Sequence, residues 1–237
     1  MNSDKATGTD AAWITGLLQA GDSFYPTGSY AHSFGLEGLV QAGVIRDRAT
    51  LREFLLRSVI PSLRQSELPL AAQAWRAFGA EDWAVIGELC RLSAALKAPQ
   101  ELRRASDNIG RQRAELTALL RPHPLATEYL RRAGDEGWPF AAPVSAALEG
   151  RVLGAPQTAV LAGVYYASVA SLLSAAMKVL RLGQNASQTL LTEALSHAPE
   201  VIALAERVPV DKIGWFNPWL DIAAARHETA DSRMFIS

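Results

Sequence analysis

Residues 99–120 read PQELRRASDNIGRQRAELTALL. Leu102, Ala105, Ile109, Gln112, Leu116 and Leu119 recur at steps of three and four, which places them on one face of an α-helix. Asp107 lies four residues from both Arg103 and Arg111, a spacing that lends weak support to the outer face. The same period extends in both directions. Leu51, Phe54, Leu55, Ser58 and Val59 share a face; Thr50 with Glu53 predicts a capping box at its start and Pro61 predicts its end. Further helices are predicted over 12–20, 30–42, 68–78, 81–96, 124–133, 140–150, 156–181, 187–197, 199–207 and 213–228. Gly43, Gly79, Pro122, Pro124, Pro139, Gly183 and Pro209 punctuate them. Alternation of β-branched residues with a period of two is nearly absent. The expectation is all-α: one helical bundle of about ten helices across residues 12–229, with little or no sheet.

Residues 152–177 carry no charge over 26 positions, more than the ~20 apolar residues that span a bilayer. The run is mild, however, built from Ala, Ser and Gly with Tyr165 and Tyr166 near its middle. The reading that follows is a buried core helix of a soluble bundle, not a membrane span. The 237 residues suffice for one sizeable core, and 49% hydrophobic content places the chain among globular proteins. A net charge of -1 excludes a nucleic acid as the main partner, since that binding needs a basic surface. Four lysines stand against 19 arginines. Arginine suits interfaces, although a bias toward Arg and Ala explains the excess equally well. The lone Cys90 forbids an internal disulfide and a thiolate zinc site. Met1–Asp10 is polar without an apolar core, so it does not read as a secretory signal. Residues 1–11 are expected to be a disordered tail and the protein cytoplasmic.

Gly21 to Gly38, GDSFYPTGSYAHSFGLEG, is the oddest stretch. Phe24, Tyr25, Tyr30 and Phe34 surround a Pro26-Thr27-Gly28 turn, and Ser29 is placed to cap a helix beginning at Tyr30. Gly35 and Gly38, one turn apart, suggest close passage of another backbone. A tight helix crossing and a docking surface with an aromatic and a carboxylate, Glu37, fit this pattern equally. A serine hydrolase using Ser33 and His32 is disfavoured, because a nucleophile elbow needs a strand before its serine. His32, His123, His197 and His227 stand far apart with no ligand spacing, and no phosphate-binding loop occurs. No catalytic residue, metal ligand, resident cofactor or small-molecule substrate is therefore expected. The C-terminal stretch is the second oddity. Ile213 to Ile222 is apolar and aromatic, and the chain ends Arg233-Met234-Phe235-Ile236-Ser237. Such an end is expected to fold onto its own body or onto a partner.

Four blocks carry a family resemblance: DSFYPTGSYAHSFGLE (22–37), ELRRASDNIGR (101–111), SAAMKVLRLGQNASQTLL (174–191) and LDIAAARHETADSRMFIS (220–237). In their order and spacing the chain resembles the UreF family of urease accessory proteins. The resemblance implies an all-α homodimer without catalysis of its own. It would bridge a companion accessory protein, UreD or UreH, and the nickel GTPase UreG to apo-urease for GTP-dependent nickel insertion. Nickel enters as cargo, with no residue of this chain assigned to hold it. The resemblance also implies that residues 230–237 become ordered when the companion binds, with Arg233 near Tyr30. Lys178 and Arg181 are candidate GTPase contacts. The partner-facing set is Ser29, Tyr30, His32, Phe34, Glu37, Lys178, Arg181, Arg226, His227, Glu228, Arg233 and Phe235. Tyr165 and Tyr166 are candidates for the dimer seam, with core packing an equal explanation. Two positions depart from the family pattern: Ile236 stands where a basic residue is common, and Asp107 where an arginine is. The competing reading is a generic helical interaction scaffold unrelated to urease.

Overall fold

A computed structural model describes residues 11–28, 35–217 and 222. Within them the chain forms α1 (Ala12–Gly21), α2 (Leu36–Gln41), α3 (Arg48–Phe54), α4 (Ile60–Gln65), α5 (Glu67–Ala80) and α6 (Trp83–Ala95). There follow α7 (Gln100–Leu120), α8 (Pro124–Asp135), α9 (Ala142–Val152), α10 (Gln157–Val179), α11 (Gln184–Ser196) and α12 (Ala198–Ala205). A π turn, Leu55–Val59, joins α3 to α4, and a 3-10 turn, Val210–Lys212, follows α12. No strand occurs among the described residues, so the fold is all-α as the spacing predicts.

Two apolar cores lie side by side. The first gathers Leu36, Leu51, Leu55, Leu161, Tyr165 and Leu190 from α2, α3, the π turn, α10 and α11. The second gathers Phe78, Leu89, Tyr129, Phe140, Val144 and Leu148. There Tyr129 meets Phe78 and Phe140 edge-on, with ring centroids 5.5 and 5.6 Å away. Helix α5 belongs to both: Leu68, Ala71 and Ala72 enter the first core, Leu70, Ala74 and Phe78 the second.

Several local expectations are corrected. The capping box lies one turn earlier than expected: Asp47 accepts from the Thr50 N–H at 2.8 Å, and the Thr50 hydroxyl accepts from the Asp47 N–H at 3.1 Å. Glu53 instead pairs with Arg57. Pro61 does not end its helix. Proline lacks an N–H and crowds the carbonyl four residues back; the widened π turn just before it lets the helical path continue into α4. Helix α5 runs one residue past Gly79 and ends at Ala80, with Glu81 in the left-handed region. The helix predicted over 213–228 is absent at 213–217, where Gly214 N–H donates to Gln65 O at 2.8 Å and holds the segment against the end of α4. Helix α10 is long and apolar enough to cross a membrane. It buries Val160, Leu161, Tyr165, Val169 and Leu172, but Ala162, Gly163 and Tyr166 are exposed, so it is covered on one face only.

Asp107 also differs from its reading as a surface charge. Its Oδ1 accepts from the Phe140 N–H at 2.7 Å, while Arg111 stands 3.7 Å away and Arg103 turns to the Lys97 carbonyl. A close backbone passage occurs at Gly110, where a Cβ would meet Ala141 backbone atoms at 2.8–2.9 Å. Gly35 caps α2 with φ at +85°, where other residues are strained.

Candidate partner-docking site

The stretch after α1 is shaped by its own polar groups. Asp22 Oδ1 accepts from the Phe24 N–H at 2.7 Å, and the Tyr25 N–H donates to Asp22 O at 3.0 Å, an Asx-type turn. That turn points neighbouring aromatics in opposite directions. Phe24 is 91% exposed, whereas Tyr25 is buried. Gly28 has φ at +77° and closes the loop.

Tyr25 is buried against a carboxylate. Its hydroxyl donates to Glu149 Oε1 at 2.5 Å, and Glu149, on α9, is 1% exposed. Arg113 of α7 donates from Nη1 to Glu149 Oε2 at 2.6 Å and lies over the Tyr25 ring, 5.6 Å from its centroid. Arg121, at the end of α7, brings Nη1 to 3.8 Å from Oε1 and donates through Nη2 to Gln19 of α1. The buried carboxylate thus faces two partly buried guanidiniums, and removing one partner of a buried pair costs about 3–5 kcal/mol. Burial first, and then the negative charge of Glu149, hold the Tyr25 phenol well above its ordinary value. In the orientation that satisfies its neighbours, the Gln112 amide nitrogen donates to Pro26 O and Thr27 O at 3.0 and 2.8 Å. Helices α7 and α9 therefore hold residues 22–28 by both a side chain and backbone carbonyls.

The other expected contacts are dispersed. Glu37 is buried in α2, so in this conformation it is no surface contact. Lys178 and Arg181 are exposed at the C-terminal end of α10, where cations suit the helix dipole; Arg181 has φ at +52°. The tyrosine pair is split. Tyr165 is fully buried, donating to Ala194 O at 2.7 Å, and burial pushes its phenol up to about 12. It is a core residue in this chain, and only Tyr166, 42% exposed, faces outward. Ser29, Tyr30, His32, Ser33, Phe34, Arg226, His227, Glu228, Arg233 and Phe235 lie outside the described residues, as do the tails 1–10 and 223–237.

A groove of about 290 Å³ runs among α4, α7, α9 and α10, walled by Leu63, Leu102, Ile109, Val164 and Trp215. Lys97 and Glu67, paired at 2.8 Å, contribute polar groups to its lining. Among the described residues, no group of three His, Cys, Asp or Glu side chains gathers to hold a metal. Sequence reasoning missed the Glu149 cluster. Its one signal was a carboxylate set between Leu148 and Gly150 in a helix whose only other charge is Arg151; nothing in the spacing named its partners.

The family model for UreF matches residues 45–195. Three relatives, each named urease accessory protein UreF, align over nearly the full chain. That of Arthrobacter sp. (strain FB24) is 33% identical over 93% of this chain and 96% of its own length. That of Methylorubrum populi is 34% identical over 90% and 94%. That of Bacillus sp. (strain TB-90) is 29% identical over 94% and 99%.

Proposed function

The chain belongs to the UreF family of urease accessory proteins, and on that footing we propose that it is a non-catalytic cytoplasmic scaffold for urease maturation. It bridges a companion accessory protein, UreD or UreH, and the GTPase UreG to apo-urease, and its work is done by binding energy. Nickel is the cargo of that assembly, inserted as the GTPase turns over GTP. The observation that carries the reading is the end-to-end match to proteins bearing the accessory name.

The structure supplies compatible surfaces. The loop at 22–28 is fixed from beneath while Phe24 stands in solvent. Lys178 and Arg181 project from the end of α10 as contacts for the GTPase. The outward face of α10, with Tyr166, is the seam for a second copy. In this reading Tyr30 and Arg233 meet when the companion orders the tail.

Size-exclusion chromatography of the chain with companion and GTPase, with and without GTP, tests the proposal. A three-component peak is expected, with GTP turnover only in fractions that contain the GTPase. Elution of this chain alone from every mixture overturns the bridging role. Hydrolysis by the chain alone that vanishes in Ser33→Ala would replace it with the hydrolase reading.

A further inference from the structure

The geometry points to Glu149 as the positioning residue of the docking loop: a buried carboxylate on α9 that, through the Tyr25 hydroxyl, fixes how residues 22–28 are presented to the companion protein. The inference rests on the docking role proposed for the 22–37 block and specifies what sets its geometry. Glu149, Arg113 and Arg121 all lie outside the four blocks that carry the family resemblance.

Three observations converge. Glu149 is buried, yet both its oxygens are engaged by groups from different elements: Tyr25 of the loop on Oε1, Arg113 of α7 on Oε2. The arginines that neutralise it also reach α1, Arg121 through Gln19 and Arg113 toward the Ala20 carbonyl at 3.5 Å. One carboxylate thus joins the end of α1, the loop, α7 and α9. The loop holds a side chain in each direction, so the inward anchor determines where the outward one stands. Tyr25 cannot leave Glu149 without moving Phe24, its neighbour in sequence and 91% exposed. The arginine–carboxylate pair survives if Tyr25 lets go, which separates loop position from helix packing.

Apparent affinity scales with the fraction of molecules already in the binding-competent arrangement. A hydrogen bond to a charged acceptor is worth enough to shift a docked loop to one docked a tenth of the time or less. Tyr25→Phe removes only the hydroxyl and leaves Glu149 paired with its arginines. In the full-length variant, hydrogen exchange at 22–28 should accelerate at least about tenfold and the Kd for the companion should rise about tenfold. The Tm should fall by no more than the few degrees that a tenfold loss of the docked population carries, and exchange in α9 should match the parent. Glu149→Gln, which keeps the shape but removes the charge, should shift both readouts the same way.

Loop exchange in Tyr25→Phe equal to the parent's overturns the inference. So does accelerated exchange spread through α7 and α9, because Tyr25 would then be ordinary packing. Faster loop exchange with an unchanged Kd overturns the positioning role. If the parent itself binds no companion, the proposed function fails, and the exchange measurement still decides whether Glu149 holds the loop.

Discussion

Cys90 sits on α6 with its sulfur 3.5 Å from the Tyr129 hydroxyl, and burial pushes its thiol from 9.0 up to about 11. Between those values the unfolded chain releases a proton that the folded chain keeps. The resulting stability is fully present below pH 9 and is lost as pH rises through about 11, roughly 3 kcal/mol in all. Tyr165 titrates in the same direction toward about 12, so the loss continues. Urea denaturation should give a level midpoint from pH 6 to 8 and a falling one above pH 9, with a shallower fall in Cys90→Ala. A parent profile level through pH 11 would show that the thiol is not buried as described. The same scale shows where the sequence ran out. Helical spacing put Asp107 and Gly110 on α7 correctly. It could not reveal that both meet the segment entering α9, one through the Phe140 N–H and one through Ala141 backbone atoms. Glu149 is the stronger instance, because its partners lie 124 and 36 residues away in sequence.

At the scale of elements, periodicity finds helices because it records which face each one buries; it reads joints poorly. The π turn before Pro61 and the extended run at 213–217 depend on neighbours, not on their own spacing. Helix α10 illustrates the difference within two residues. Tyr165 and Tyr166 read alike in sequence, yet they are about 100° apart around the helix. One donates to Ala194 O inside the first core and the other is exposed. Tyr165→Phe therefore leaves a buried carbonyl without its side-chain donor and should cost about 1–2 kcal/mol, read as a lowered denaturation midpoint. Tyr166→Arg should leave that midpoint within about 0.5 kcal/mol of the parent, while light scattering coupled to chromatography should show a smaller assembly if this face joins two copies. A destabilised Tyr166→Arg, or an unaltered mass, would remove the outward face of α10 from the proposed seam.

At the scale of the molecule, the two cores raise the question whether the chain unfolds in one step or two. Chains well above 150 residues often populate intermediates, and two separate cores would favour that. Helix α5 argues the other way. Leu68 and Leu70 are two residues apart on one continuous helix, both fully buried, yet they belong to different cores. Losing either core strips a face of α5 and so exposes the wall of the other. The cluster around Glu149 adds a second tie, since it closes α1, which also packs on α10, onto α7 and α9. Calorimetry should therefore record a single transition. Leu68→Ala and Leu70→Ala should each move that whole transition down by about 2–5 kcal/mol, the range for a buried leucine that leaves a cavity. If Leu68→Ala instead splits off a low-temperature peak while the second core melts at its original temperature, α5 does not couple them. The docking loop, held by α7 and α9, would then outlast the core formed by α10 and α11.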